Sequence, residues 1–258
     1  IDYSHLEILL KSNQKTLVSL MHINNEIGSI LDIQKVADLC QANNVLFHSD
    51  TVQSVGHYYI DVKETPINFL VASAHKFHGP KGVGFVFIRK NSGLKSLIIG
   101  GTQERGIRAG TESIHDIVGL DEALSLSYEF LDIETSQVKD LKSHFISELT
   151  THIPGVKFNG SCSGLVNSTY TLVNVCLPVS ASNAPMFLFQ LDLKGIACSK
   201  GSACQSGSGK GSHVLAEILN EDDMNKPSIR FSFSIYNTKQ ELDTVVAILK
   251  ELIKDTNS

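Results

Sequence analysis

The sequence predicts an α/β fold in which a mainly parallel sheet is followed by a smaller α+β domain. Its 258 residues are 42% hydrophobic and 19% charged, a composition that supports a packed core. In the first half, strand-like and helix-like stretches alternate, as they do in parallel βαβ units. This alternation stops in the second half, and we place the domain boundary near residue 135.

The predicted strands of the first half are short apolar segments bounded by turn-forming residues. They cover residues 16–23, 45–49, 69–74 and 82–89. Asp32 is positioned to cap a helix that ends at Asn43–Asn44 and has apolar residues at helical spacing. These residues are Ile33, Val36, Ala37 and Cys40. A longer helix is predicted from about Thr111 to Leu131.

The second half is predicted to combine amphipathic helices with two strands. Val138, Leu141, Phe145 and Leu149 form one helical stripe. The strands cover residues 173–177 and 228–234, and Asn183 is expected to cap a short helix over residues 185–193. Thr238 and Glu241 form a capping-box pattern at the start of the last helix. The apolar face of that helix comprises Leu242, Val245, Val246, Leu249 and Ile253.

Charge and cysteine usage limit the possible partners and compartment. The formal net charge is −5, so the basic footprint of a nucleic-acid-binding protein is absent. The apolar runs are too short to span a bilayer, which argues against a membrane protein. Five cysteines form no regular framework, and this favours a reducing compartment, which we take to be the cytoplasm.

Lys76 and Asp50 each follow a predicted apolar strand. A lysine at the carboxyl end of a strand lies where open α/β sheets bind ligands, and burial there would lower its pKa and make it a nucleophile. A carboxylate at a neighbouring strand end can pair with a protonated pyridine nitrogen. Taken singly, Lys76 is better explained as a surface lysine in a loop and Asp50 as a helix N-cap. Their combination is more specific and favours pyridoxal chemistry.

Five motifs in order carry a more specific signal. They are MHINNEIG (residues 21–28), HSDTVQSVG (48–56), SAHKFHGPKGVG (73–84), GGTQERGIRAGT (100–111) and SKGSACQSGS (199–208). Together they resemble the cysteine desulfurases of the NifS/IscS type, within the fold type I pyridoxal-phosphate enzymes. The resemblance covers essentially the whole chain and implies pyridoxal 5'-phosphate as cofactor and L-cysteine as substrate.

The resemblance also assigns roles to individual residues. Lys76 matches the lysine that holds the cofactor, and Asp50 matches the partner of its ring nitrogen. Gln53 and Asn25 match residues that bond the phenolic oxygen or the substrate side of the site. Ser73 and His75 match phosphate binders, and His75 is also a candidate proton carrier. Thr111 matches a threonine that reaches the cofactor of a neighbouring subunit, which implies a homodimer. Arg230 matches the arginine that binds the substrate α-carboxylate, a task suited to its planar fork.

Cys204 matches the nucleophile that takes up the substrate sulfur as a persulfide. It lies in a Gly/Ser-rich segment, residues 195–212, which we expect to be mobile and exposed. Cys40, Cys176 and Cys198 fit structural roles better, and Cys162 is expected to be exposed in a loop. A zinc site built from Cys198, Cys204 and His213 lacks paired Cys-x-x-Cys spacing, so no resident metal is predicted.

The implied function is conversion of L-cysteine to L-alanine, with the sulfur passed to an acceptor or iron–sulfur scaffold protein for cluster assembly or thiolation. A transient contact of Cys204 with a cluster is implied as well. A selenocysteine lyase, a cystine C–S lyase and a non-catalytic sulfur-relay subunit remain as alternatives. Residues 1–135 would form the cofactor-binding domain and residues 136–258 the small domain. Members of this family carry a further N-terminal segment, so the chain corresponds to the C-terminal part of such an enzyme. Either the native protein continues upstream of Ile1, or the chain is a fragment that binds the cofactor poorly.

Overall fold

The computed structural model describes residues 1–12, 14–201 and 211–256, and the chain divides into two compact units. The first unit comprises residues 1–23 and 31–131. The second comprises residues 24–30 together with the chain from residue 132 onward. The short segment Asn24–Ile30 therefore belongs to the second unit, although both of its chain neighbours belong to the first.

The first unit is built on a four-stranded sheet in the order β1-β2-β3-β4. The strands are β1 (Leu17–Met21), β2 (Leu46–Asp50), β3 (Phe69–Ser73) and β4 (Gly84–Ile88). The helices are α1 (Tyr3–Leu10), α2 (Ile33–Ala42) and α3 (Ile114–Glu129). β1, β2 and β3 pair in parallel, and β4 pairs antiparallel with β3, so the predicted mainly parallel sheet is confirmed.

Helix α2 forms because its cap and its apolar stripe agree. The Asp32 carboxylate accepts a hydrogen bond from the Lys35 backbone N–H at 3.0 Å, as predicted for an N-cap. Val36, Ala37 and Cys40 are buried against the sheet core, which includes Phe47 of β2. The helix ends at Asn43, and the left-handed Asn44 turns the chain into β2.

The second unit contains an antiparallel sheet, β5-β6-β7, and five helices among its described residues. The strands are β5 (Lys157–Phe158), β6 (Leu172–Cys176) and β7 (Ser228–Ser232). The helices are α4 (Leu131–His152), which begins at the last residue of the first unit, α5 (Ala184–Leu193), α6 (His213–Ala216), α7 (Glu221–Met224) and α8 (Lys239–Thr256).

The predicted apolar stripe of α4 forms the core of the second unit. Its four residues are no more than 4% exposed. The Phe145 ring meets the rings of Phe231 and Phe233 edge-on, with centroid separations of 5.1 and 5.6 Å. Such contacts add to the hydrophobic gain of burying aromatic area. β7 is thereby fixed against α4, and the position of Arg230 within β7 is fixed with it.

The caps of α8 and α5 give different outcomes. The Thr238–Glu241 capping box is confirmed, since the Thr238 backbone N–H donates to Glu241 Oε2 at 2.8 Å and the Glu241 N–H donates to Thr238 Oγ1. At α5, Asn183 occupies the N-cap position, but the predicted side-chain cap is wrong. The Asn183 amide instead donates to Ser180 Oγ at 3.1 Å, within the preceding turn.

Lys142 is a fully buried lysine on α4. Its ammonium donates to Thr169 O at 2.7 Å and to Ser168 Oγ at 3.2 Å. Burial lowers its pKa to about 8, and the nearby Cys162 acts in the opposite direction. Both oxygens belong to the loop that pairs with Asn24–Ile30 through the Ser29–Ser168 bridge. Lys142 therefore supports the loop against which that segment lies.

Cys162 was expected to be exposed, and this expectation is wrong. The side chain is buried, and its Sγ donates to the carbonyl of Ile27 at 2.7 Å. The loop that carries it packs under the segment Asn24–Ile30, which the sequence pattern gives no reason to expect.

Within the described residues, no helix is both long and apolar enough to cross a membrane.

We predict that Lys142 makes the stability of the protein rise with pH between about pH 7 and 9. The folded protein releases the Lys142 proton near pH 8, whereas an unfolded lysine releases it near 10.4, so the unfolded state binds more protons in this window. Relative to Lys142→Met, the parent protein should gain about 1 kcal/mol of unfolding free energy from pH 7 to pH 9.

Urea denaturation at the two pH values measures this gain. The control is Lys250→Met, which removes an exposed lysine of α8. A difference between parent and Lys142→Met that is the same at pH 7 and pH 9 would show that the buried ammonium carries no such penalty.

Candidate active site

In the first unit, the carboxyl ends of β2 and β3 bring two predicted site residues to one edge of the sheet. Asp50 ends β2 and pairs in register with Val71 of β3, while Ser73 ends β3 two residues later. The 3-10 turn Ala74–Lys76 follows immediately. The prediction that Asp50 and Lys76 follow separate strands of one sheet is confirmed. This edge is where open parallel sheets bind ligands.

Asp50 uses one carboxylate oxygen locally and presents the other. Oδ1 accepts a hydrogen bond from the Val52 backbone N–H at 3.0 Å, so Asp50 caps a turn rather than a regular helix. Its second oxygen has no hydrogen-bond donor among the residues that the structure describes. The side chain is exposed at the sheet edge. This arrangement fits a carboxylate that pairs with a cationic ring nitrogen.

Lys76 lies at the end of its turn with an exposed side chain. The expected burial of its amine is therefore wrong for the described structure. The reason is local: the turn buries Ala74 and Phe77, which flank His75 and Lys76, and these two then point away from the core. The backbone is fixed while the amine remains accessible for covalent attachment.

The backbone of the lysine turn is held by two residues to which no sequence motif assigns a role. His57 Nε2 donates to the carbonyl oxygen of Lys76 at 2.9 Å, and burial lowers the pKa of His57. Gly56, with φ +80°, lies against Phe77 so closely that a Cβ there would be 2.5 Å from Phe77 Cβ. In the sequence these two residues are visible only as the Gly-His pair that follows HSDTVQSV. The role of His57 depends on a contact with Lys76, 19 positions away.

The other predicted residues of the first unit lie at the end of β3, in the turns that follow β2 and β3, and in the loop before α3. Ser73 is half-buried, and His75 is exposed in the lysine turn. Gln53 is half-buried in the turn after Asp50. Thr111 is exposed, two residues before Ser113, the N-cap of α3. Their hydroxyl, imidazole and amide groups are the donors that a phosphorylated pyridine requires.

In the second unit, Arg230 of β7 is held at both its backbone and its side chain. Its backbone exchanges two hydrogen bonds with Ser199, at 2.7 and 3.1 Å. Nη1 donates to the carbonyl oxygen of Asn25 at 2.6 Å, whereas the buried Nε has no partner among the described residues. Burial lowers the pKa of the guanidinium, and Glu26 opposes this shift. The structure thus brings Arg230 and Asn25 together and leaves one buried donor for a ligand.

Asn24–Ile30 is fixed by amide side chains. Asn24 Oδ1 accepts from the backbone N–H groups of Glu26 and Ile27, at 2.9 and 3.0 Å. The buried Asn174 of β6 donates to the carbonyl oxygen of Glu26 at 2.9 Å. At Gly28 a Cβ would approach Ser168 Oγ to 2.9 Å. Asn25 and Glu26 therefore extend from a rigid backbone.

Glu26 is a buried carboxylate that the sequence argument passed over. It is 1% exposed, and its Oε2 accepts a hydrogen bond from Ser212 Oγ at 2.5 Å. The available signal was a charged residue inside a motif, next to the apolar Ile27. Its partner lies 186 residues away, so the sequence alone could not supply it.

The described cysteines have poorly activated thiols. Cys40, Cys162, Cys176 and Cys198 are free, and burial raises the pKa of each, to about 11 for Cys40 and Cys198. Because the thiolate is the reactive form, these four are poor nucleophiles at neutral pH. Cys204 lies outside the described residues, as does half of the predicted Gly/Ser-rich segment, so the expected mobility of that segment stays a prediction.

Comparison with known proteins gives consistent matches along the chain. The pattern of the aminotransferase class-V family matches residues 1–245. A cysteine desulfurase IscS from Clostridium botulinum is 40% identical over 94% of this chain and 60% of its own length. One from Dictyoglomus turgidum is 38% identical over 92% and 59%. The chain thus spans about 60% of the length of these relatives.

Solved structures show the same similarity. The crystal structure of a NifS-like protein from Rickettsia africae superposes with a TM-score of 0.85 at 30% identity. That match covers 99% of this chain and 67% of the other. The fold predicted from the sequence is thereby confirmed.

We predict that Gly56→Ala destabilises the protein by about 1–3 kcal/mol more than Gly82→Ala does. Both glycines have a positive φ, +80° and +87°, so both substitutions strain the backbone. Only at Gly56 does the added Cβ also meet Phe77; nothing lies within 4 Å of a Cβ at Gly82.

Urea denaturation of the two variants measures the difference between them. Equal losses at the two positions would show that Gly56 and Phe77 are not in close contact, and the lysine turn would then lack this support.

Proposed function

The chain belongs to the class-V aminotransferase family, and we propose that the protein is a pyridoxal-phosphate-dependent cysteine desulfurase. The reaction converts L-cysteine to L-alanine and leaves a persulfide on Cys204. The observation that carries this proposal is the position of Asp50 and Lys76 at adjacent ends of the parallel strands β2 and β3. The similarity to relatives named cysteine desulfurase supports the choice of substrate.

The residues at this edge fit pyridoxal 5'-phosphate. The exposed Lys76 amine would hold the cofactor covalently, and the second oxygen of Asp50 would pair with the protonated ring nitrogen. Ser73 and His75 would donate to the phosphate, since Ser73 precedes the lysine turn and His75 lies in it. When bound, the cofactor withdraws electrons from the substrate Cα through its protonated ring.

Further contacts come from amide and hydroxyl side chains. We assign Gln53 and Asn25 to the phenolic oxygen or the substrate side of the site, as the family motifs imply. Thr111 is assigned to the phosphate bound by a neighbouring subunit, and its exposure is compatible with that role.

Arg230 is proposed to bind the α-carboxylate of L-cysteine. Its buried Nε lacks a partner among the described residues, and an unsatisfied buried donor is costly unless a ligand satisfies it. A carboxylate can accept from Nε and from a second guanidinium nitrogen at once. Asn25 holds the other side of the guanidinium, so the arginine is oriented before substrate arrives.

The chain's own groups then carry the protons and the sulfur. The freed Lys76 amine removes the α-proton, with His75 available as a proton carrier. The Cys204 thiolate attacks the substrate sulfur, so an S–S bond forms while the substrate Cβ–S bond breaks. The electron pair of the broken bond stays with carbon, which is protonated to give the methyl group of L-alanine.

A persulfide on Cys204 implies a protein that receives the sulfur. We propose a sulfur acceptor or an iron–sulfur scaffold protein, which the cysteine would reach with its bound sulfur. Transient contact between Cys204 and the acceptor's cluster belongs to this proposal. Cluster assembly and thiolation are the processes that such an acceptor would serve.

A homodimer is proposed because an apolar segment of the first unit is unusually exposed. Leu97, Ile98 and Ile99 are 93%, 56% and 84% exposed, and they lie in the loop region that leads to Thr111. Contiguous exposed apolar residues of this kind are typical of interfaces. The family motifs assign Thr111, which follows this segment in the chain, to the cofactor of such a second copy.

The cytoplasm is the proposed location. The four described cysteines are free, which suits a reducing compartment. A relative from Dictyostelium discoideum, 37% identical, carries the name "Probable cysteine desulfurase, mitochondrial", so an organelle is the alternative to be tested by fractionation.

We predict that Lys76→Ala removes the absorbance band of the covalently attached cofactor from the full-length protein loaded with pyridoxal phosphate. Cys204→Ser should keep that absorbance but lower alanine formation from L-cysteine at least about 100-fold, because it removes the sulfur nucleophile. Cys198→Ser, a neighbouring cysteine with a raised pKa, is the matched control and should retain activity.

An unchanged spectrum in Lys76→Ala would contradict the lysine assignment. Alanine formation by Cys204→Ser would point to another thiol or to a selenocysteine-lyase route, and rates with cysteine, selenocysteine and cystine separate the latter. A protein that makes no alanine would be the relay subunit instead.

We predict that Leu97→Asp converts the dimer to a monomer, since a charge at the core of an interface loses its hydration without a partner. Leu193→Asp, at a comparably exposed position of α5, should leave the dimer intact. Sedimentation velocity distinguishes the two. A parent protein that sediments as a monomer, or a Leu97→Asp variant that remains dimeric, would contradict this interface.

A further inference from the structure

Glu26 is the one buried carboxylate of the motif MHINNEIG, and the proposed reaction gives it no role. Its side chain is 1% exposed, although acidic residues are rarely buried without a specific partner. Its backbone is held by Asn24 and Asn174, so the carboxylate is presented from a fixed position. A fixed, buried negative charge affects every charged group near it.

The first neighbour of this carboxylate is the base of the segment that contains Cys204. Ser212 Oγ donates to Glu26 Oε2, and as the N-cap of α6 it also accepts from the Leu215 N–H. A Cβ at Gly201 would lie 3.7 Å from the same Oε2 and 3.5 Å from Ser212 Cβ. The residues on both sides of 202–210 therefore meet at Glu26.

The second neighbour is Arg230. The two side chains form no ion pair within 4.0 Å among the described contacts, yet Glu26 raises the pKa of the guanidinium against the effect of burial. Asn25 and Glu26 thus act on one arginine, the first through a hydrogen bond and the second through its charge. Ser199, which pairs with the Arg230 backbone, lies two residues before Gly201.

We propose that Glu26 couples the carboxylate-binding arginine to the base of the Cys204 segment. Its charge partly offsets Arg230 and so weakens the binding of a substrate carboxylate. Its hydrogen bond with Ser212 fixes the N-cap of α6, two residues after residue 210. Glu26 is therefore a positioning residue, and this inference rests on the proposed function, in which Arg230 binds L-cysteine and Cys204 takes up its sulfur.

Two substitutions separate the charge from the hydrogen bond. Glu26→Gln removes the charge but keeps an oxygen that can accept from Ser212. Ser212→Ala keeps the charge but removes the hydrogen bond, and Ser212→Thr restores a hydroxyl. If Glu26 served only to stabilise the fold, Glu26→Gln and Ser212→Ala would change L-alanine binding and hydrogen exchange in the same way. The proposed coupling predicts that each substitution changes a different one of these two quantities.

The experiment uses the full-length protein loaded with pyridoxal phosphate and L-alanine as the probe. The dissociation constant of L-alanine is followed by the absorbance of the cofactor, and hydrogen exchange of the backbone is followed by mass spectrometry. Glu26→Gln should bind L-alanine roughly 3- to 10-fold more tightly, as expected for removal of a nearby like charge in a partly buried site. Alaninamide, which lacks the carboxylate, should show no such gain.

Ser212→Ala should leave the L-alanine constant within about twofold, since it does not change the charge near Arg230. It should speed exchange in peptides covering residues 197–201 and 211–216 by roughly fivefold or more, because local opening there becomes easier. Ser212→Thr should restore the slow exchange. The control for charge removal is Glu251→Gln, an exposed carboxylate paired with Lys194, which should change neither quantity.

Weaker or unchanged L-alanine binding by Glu26→Gln would overturn the charge part of this inference. Unchanged exchange in Ser212→Ala would overturn the link to the Cys204 segment. A parent protein that binds L-alanine but makes none from L-cysteine would refute the proposed function alone. A parent protein that does not bind L-alanine would overturn both the carboxylate role of Arg230 and its coupling to Glu26.

Discussion

The parallel pairing of β2 with β3 is the constraint on which the cofactor side of the proposed site depends. Parallel strands end at the same edge, so the residue that ends β2 and the turn that follows β3 must lie near each other. Antiparallel pairing would send them to opposite edges. β3 is apolar from Phe69 to Ala72, and the polar residues of the two strands lie toward their carboxyl ends, at His48–Asp50 in β2 and at Ser73 in β3.

The second unit presents its functional residues from a network of buried polar side chains. The Asn159 amide donates to Asn174 and to Ser228, and Asn174 extends this network to the backbone of Glu26. Lys142 supports the loop that contains Ser168, which pairs with Ser29. Buried polar groups cost free energy unless they are satisfied, and here they are satisfied by one particular arrangement of Asn24–Ile30. The protein thereby holds this segment in a single conformation, at a cost in stability.

Local patterns predict the elements of this chain well. The stripe of α4, the Asp32 cap and the Thr238–Glu241 box depend on residues three or four positions apart, and all three are confirmed. Side-chain environments depend on distant partners and are predicted poorly. Cys162 is buried because Ile27 lies over it. On α8, Leu252 is buried although it was not predicted, while the predicted Ile253 is only half-buried. The roles of His57 and Glu26 rest on contacts over 19 and 186 positions, which no local pattern encodes.

The chemistry of the thiols explains why a nucleophilic cysteine suits a segment apart from the packed elements. Cys40 and Cys176 lie in a helix and a strand, where packing excludes water and raises the thiol pKa. A cysteine that is well packed is for that reason a poor thiolate. A sulfur carrier must also meet two reactants, a substrate and an acceptor, and a side chain fixed in a core can meet neither. Rigid elements therefore suit the binding of charge, as at Arg230, and the nucleophile belongs on a segment anchored at its ends.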